Sequence, residues 1–138
     1  VNVNYIESFS DVALAAEAAT SHIANGADFL TGTAQMVVGA TGVAQEEGVA
    51  WFGTQSNQTA LGEDIVVASQ VYHWEVILDD IVAAMEAGEA GSVMIATLAN
   101  GGLEIEFNDA YGLDGDVKAA AEATAAAIAD GSIATGVG

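Results

Sequence analysis

The sequence predicts an α/β fold built on a parallel sheet, and three observations carry that expectation. Short β-rich runs alternate with amphipathic helical ones, the order that builds βαβ units. The chain has 138 residues, 52% of them hydrophobic, which suffices for one domain with a real core and falls short of two ordinary ones. No apolar run approaches the ~20 residues that a membrane span requires.

Residues 1–6 read as a first strand. Ser10 or Asp11 then caps a helix reaching Asn25-Gly26, with Val12, Ala16, Ala19 and Ile23 on one face. Residues 27–31 form a second strand, and 33–47 a second helix stopped by Gly48. Residues 49–52 are a third strand, followed by a polar loop over 53–62. Residues 65–70 read as a fourth strand. The helix over 73–87 is the best-patterned segment, with Trp74, Ile77, Leu78, Ile81 and Met85 on one face and Glu75, Asp79 and Glu86 opposite. Gly88 ends it. Residues 92–98 and 103–107 are two more strands around Asn100-Gly101-Gly102. Asp116 precedes a last, Ala-rich helix running to Asp130-Gly131, and 132–138 form a loose tail.

Charge narrows the function classes. Twenty acids face a single base, Lys118, for a net charge of −19. Such a surface repels phosphates and anionic membranes, so nucleic acid is no partner. The acids are spread from Glu7 to Asp130 rather than gathered in a tail. Dispersed carboxylates with almost no base suit molar salt, where the Debye length is ~3 Å and self-repulsion is screened; ordinary acidic design for solubility is the alternative. The absence of cysteine removes disulfides and thiolate chemistry. The chain begins Val1-Asn2-Val3 inside a strand, as a processed or excised piece would.

In a parallel sheet with crossover helices, ligands bind beyond the carboxyl ends of the strands. Those ends are residues 7–10, 31–35, 53–58 and 70–74, rich in Ser, Thr, Gln, Asn and aromatic rings. Catalytic readings fit them poorly. No Gly-x-Ser-x-Gly elbow surrounds Ser10, Ser56 or Ser69, and His22 lies inside the first helix. Asp11 is most simply a helix cap. Thr31-Gly32-Thr33 lacks the lysine of a phosphate loop. No His or Cys cluster suggests a metal, and residues 109–116 lack calcium-loop spacing. The chain is therefore expected to be no enzyme and to carry no cofactor. Phe9 either enters the cleft or closes the core. Tyr72, His73 and Trp74 cannot all be core, because a helix start turns them to different sides; Trp74 belongs to its helix's apolar stripe or to the cleft, and Tyr72 or His73 faces the ligand.

At these positions a family resemblance emerges. Tyr5-Ile6-Glu7-Ser8-Phe9-Ser10-Asp11, then Ala15, Glu17-Ala18-Ala19 and Asn25-Gly26-Ala27-Asp28, resemble the second lobe of the basic membrane lipoprotein family. These are PnrA- and Med-like substrate-binding proteins of ABC transporters. Gly48-Val49-Ala50-Trp51-Phe52-Gly53, Ala68-Ser69-Gln70-Val71, Asn108-Asp109, Asp116-Val117-Lys118 and Asp130-Gly131-Ser132-Ile133 continue the match in order. The resemblance implies a flavodoxin-like, three-layer lobe of a type I periplasmic-binding fold, with residues 1–138 as one lobe and the N-terminal lobe missing. It implies an extracytoplasmic protein, periplasmic or lipid-anchored, that traps a small nucleoside-like ligand between two lobes and delivers it to an ABC permease.

By motif position, Phe9 matches the residue that stacks on the nucleobase. Gln55 falls where the family usually has an aspartate for ribose hydroxyls, and Tyr72 where a lysine is common. Two charged contacts are thus neutral here. The expected ligand set is Phe9, Thr31, Thr33, Gln55, Asn57, Tyr72 and His73. The isolated lobe is expected to form a symmetric homodimer once salt screens its charge. A stand-alone flavodoxin-like regulatory or signalling domain is the alternative; none of the four loops places a phosphoacceptor acid well.

Overall fold

The computed structural model describes residues 1–136. It is an α/β chain with a four-stranded, mostly parallel sheet in the order β1-β2-β3-β4. The strands are β1 (Phe29–Thr31), β2 (Ala50–Gly53), β3 (Val66–Tyr72) and β4 (Leu103–Phe107). The α-helices are α1 (Val12–Ala24), α2 (Val37–Glu47), α3 (Trp74–Glu86) and α4 (Gly115–Ala129). Short 3-10 turns occupy Thr59–Leu61 and Asp109–Tyr111. The chain divides into two compact units, Val1–Gln70 with Glu106–Gly112, and Val71–Ile105 with Leu113–Gly138.

The first unit holds the core. Val37 and Ala44 of α2 pack with Trp51, Ile65 and Val66, and Leu30, Ala40, Val49 and Leu61 close around them. Strands β1 and β2 pair in parallel from Phe29 opposite Ala50 to Thr31 opposite Phe52. Strand β2 then pairs in parallel with β3, an irregularity between Trp51 and Phe52 letting Gly53 face Ser69. Alternation along the strands turns Leu30 and Trp51 toward α2 and puts Phe29 and Phe52 on the opposite face. The two phenylalanine rings stack there, centroids 5.7 Å apart, and both remain exposed.

Helix α1 lies against α2 and buries Ala15 and Ala19. A Cβ at Gly39 would overlap the Val12 carbonyl, so the two helices meet at a point only glycine can occupy. Asp11 caps α1, its carboxylate accepting from the Leu14 N–H at 3.0 Å. Helix α2 ends at Gly48, left-handed at φ 67°.

The second unit is different in kind. Helix α3 buries none of its residues, and Trp74, Leu78, Ile81 and Met85 of the expected core stripe are all exposed. A concavity of about 360 Å³ between α3 and residues 89–94 is lined largely by Ile77, Ile81, Ala84, Met85 and Met94. Asp114 rather than Asp116 caps α4, accepting from Asp116 and Val117.

Two expected strands are absent. Residues 1–6 are irregular and largely exposed, with Val1, Val3 and Tyr5 open to solvent. Their apolar alternation has no paired neighbour, and a ladder needs one. Residues 92–98 are also irregular. There the Asn100 side chain takes the Thr97 and Gly102 N–H groups and donates to the Ile95 carbonyl, an Asx arrangement that competes with sheet pairing. Helix α2 starts at Val37, not at residue 33, because Ala34 is left-handed at φ 65°. Of the expected tail, 132–136 lack helix and strand, while 137 and 138 lie outside the described residues.

Candidate ligand-binding site

Because β1, β2 and β3 run parallel, the carboxyl ends of β1 and β2 open on one edge of the sheet. Two loops meet there. The Thr54 hydroxyl donates to the Gly32 carbonyl at 2.6 Å, and the Thr31 hydroxyl to the Phe52 carbonyl at 2.9 Å. The Gln55 side-chain oxygen accepts from the Ala34 N–H at 3.2 Å. A third segment joins them, since the Met36 N–H donates to the Phe9 carbonyl at 3.1 Å. Each of these three segments carries a non-glycine residue in the left-handed region: Glu7 at φ 56°, Ala34 at 65° and Gln55 at 72°. Such residues persist where the surrounding structure holds them, and they gather at ligand clamps and active sites.

Beneath this rim lies a buried polar network. The Trp51 indole N–H donates to the Gln58 Oε1 at 2.7 Å, and the Gln58 Nε2 donates to the Thr54 carbonyl at 2.8 Å. The Gln58 N–H donates to the Ser69 Oγ at 3.0 Å. The indole is buried with its donor satisfied, and the loop after β2 is pinned at both of its sides. Gly53 makes room for this, since a Cβ there would collide with the Ser69 hydroxyl. Asn108 does the same job at the other end of β3, donating to the Glu63 and Val66 carbonyls, each at 2.7 Å.

The expected ligand residues divide between the two units. In the first, Phe9 is 77% exposed at the rim, and Thr31, Thr33 and Gln55 are exposed beside it. Asn57 is exposed too, but both ends of its amide are used: Nδ2 donates to Glu106 at 2.6 Å and Oδ1 accepts from the Thr59 N–H at 2.9 Å. In the second unit, Tyr72 ends β3 with its ring stacked on Trp74 at 5.0 Å. His73 is gripped by carboxylates on both nitrogens, Nδ1 to Glu75 at 3.0 Å and Nε2 to Glu104 at 2.9 Å. Bonding to Glu104, then to Glu75, raises its pKa above the ordinary 6.5. The Glu75 carboxyl is held below its usual range by a backbone N–H and by His73.

Sequence reasoning did not single out Ala34 or Gln58, and it met Glu7 and Ser69 as motif residues without the roles they hold here. Nothing in an alanine or a glutamate announces a positive φ. Gln58 sat in a polar loop and read as a solvent or ligand group, whereas it is buried. Its signal was Trp51: a tryptophan in a core strand needs an acceptor for its N–H.

The comparisons agree with this architecture. The crystal structure of a transcriptional activator of the comK gene from Bacillus halodurans superposes with a TM-score of 0.78 at 17% identity, over 91% of this chain and 44% of that one. At that identity the likeness shows the fold alone, and the chain spans less than half of that protein's length. No curated protein matches the sequence. Residues 1–134 match the family described as ABC transporter substrate-binding protein PnrA-like. The chain belongs to that family of substrate-binding proteins.

Proposed function

We propose that this chain is one lobe of an extracytoplasmic solute-binding protein that captures a small, polar, ring-containing ligand of nucleoside type for an ABC permease, and performs no chemistry on it. The observation that carries this reading is the rim of the first unit. Three segments held in left-handed turns are cross-linked by hydrogen bonds around an exposed aromatic ring, Phe9. That is a pre-organised surface for stacking and uncharged hydrogen bonding. Among the described residues, this rim shows no nucleophile hydrogen-bonded to a base. Phe9 supplies the stacking face, while Thr31, Thr33 and Gln55 supply hydrogen bonds. Asn57 contributes only if a ligand displaces Glu106. Tyr72 and His73 remain in the proposed set through their place at the carboxyl end of β3. A second lobe closes the cleft, by a hinge-type population shift.

Calorimetric titration of nucleosides, bases and sugars into a protein carrying both lobes tests the reading. Saturable binding without turnover is expected, and turnover of any ligand contradicts it. The acid-rich composition supports adaptation to molar salt. The melting temperature should then climb from low to molar salt, and a flat profile removes that part of the reading. Self-association of the isolated lobe into a symmetric dimer at high salt is checked by sedimentation at several salt concentrations.

A further inference from the structure

Among the described residues, the Gln70 Nε2 is a buried side-chain nitrogen with no hydrogen-bond partner. Buried amide donors are nearly always paired, so an orphan one needs an explanation. Its place in the fold offers one. Gln70 follows Ser69, which faces Gly53 across the β2–β3 ladder, and so it lies level with the start of the rim loop at Thr54. Alternation puts it on the face of the sheet that carries Ala68 and Phe52, opposite the one packed on α2.

A second donor stands at the same strand ends. The Gln55 Oε1 is engaged by the Ala34 N–H, which fixes the amide's orientation and leaves the Nε2 side for a ligand. The neighbouring polar groups are already committed. Thr54 donates to Gly32 and Thr31 to Phe52, Gln58 is buried in the Trp51 network, and both ends of the Asn57 amide are used. Two amide donors, those of Gln70 and Gln55, are left among these groups at the ends of β2 and β3. Amide N–H groups read acceptors: a ring carbonyl or unprotonated ring nitrogen is satisfied by them in full, whereas each hydroxyl of a diol also brings a donor that needs an acceptor such as a carboxylate.

Resting on the proposed function, we infer that Gln70, with Gln55, is the specificity-determining pair, and that it selects an uncharged ring by its carbonyl or ring-nitrogen acceptors rather than by sugar hydroxyls. A net charge of −19 opposes the anionic acceptors that amides could also hold.

The test follows the backbone and side-chain amide signals of a nitrogen-15-labelled protein carrying both lobes by NMR during titration with hypoxanthine, uracil and D-ribose, alongside Gln70→Met. The Gln70 signals should move with a base and not with ribose. Gln70→Met should weaken base binding at least about tenfold while its melting temperature holds or rises, because an unpaired buried donor has been removed. Gln70 signals that stay still with both bases, that respond equally to ribose, or a Gln70→Met chain that binds a base as tightly as the parent, would each overturn the inference. Movement at Phe9 in those cases leaves the proposed function standing; no movement there either removes both.

Discussion

The two units answer one question differently: what an amphipathic pattern becomes when it does or does not find a partner. Helix α2 has a weak apolar stripe, yet Val37 and Ala44 are buried because Trp51, Ile65 and Val66 meet them. Helix α3 has the strongest stripe in the chain and buries nothing. Every buried hydrophobic residue described, from Ala15 to Ala68, belongs to the first unit. Periodicity therefore specified which side of a helix is apolar, and packing alone decided which helix owns a core. The functional corollary is that the pre-organised rim sits on the unit with the core, where turns of unfavourable φ can be held.

The sharpest way to break this comparison is a pair of truncations. Trp51→Ala removes a side chain that is 1% exposed and leaves Gln58 without its indole donor, and should cost about 3–5 kcal/mol in denaturant unfolding. Leu78→Ala, at a position 59% exposed, should change stability by no more than ~0.5 kcal/mol. Similar losses at both sites would mean that α3 has a packed partner and that the contrast is false.

A smaller change separates the network from the core. Gln58→Met keeps the volume but leaves the indole N–H and the Thr54 carbonyl without their partner. A loss of about 1–3 kcal/mol is expected, together with faster hydrogen exchange in residues 54–58. Unchanged exchange there would show that the rim does not depend on this glutamine.

The smallest effect is electrostatic and belongs to the second unit. With the His73 pKa raised by Glu104 and Glu75, the stabilisation from these contacts is fully present below the ordinary 6.5 and fades as pH rises through the raised value. NMR titration of the ring should place its midpoint above 6.5, and Glu104→Gln should bring it down. A midpoint unmoved by Glu104→Gln would mean that the 2.9 Å contact does not form in solution.

Much of the architecture could be read from residues. Asp11 as a cap, Gly48 as a stop, the bounds of α3 and the alternation of strands and helices all rest on local rules and hold. Failures occurred where a strand partner is missing or where a nearby side chain competes for the backbone. Residues 1–6 alternate like a strand and lack a neighbour; residues 92–98 are apolar enough for a strand and are claimed by Asn100. The site divides as well. The positions of Thr31 and Gln55 at the carboxyl ends of β1 and β2 were legible from topology; Phe9 reaches the same rim through the Met36 N–H, although the strand expected before it is absent. The engagement of Asn57 by Glu106, 49 positions along the chain, and of His73 by Glu104, 31 positions along, was not. Both loops looked free of acid in sequence, and tertiary structure brings acids to them.

The most direct measurement concerns Phe9, the exposed ring on which the binding reading turns. Phe9→Ala, in a protein carrying both lobes, should weaken binding of a nucleoside or base by about 1–3 kcal/mol, the scale of base–aromatic stacking. Its unfolding curve should match that of the parent, since the ring lies at the surface. Unchanged affinity together with a drop in stability would make Phe9 a packing residue and contradict the account.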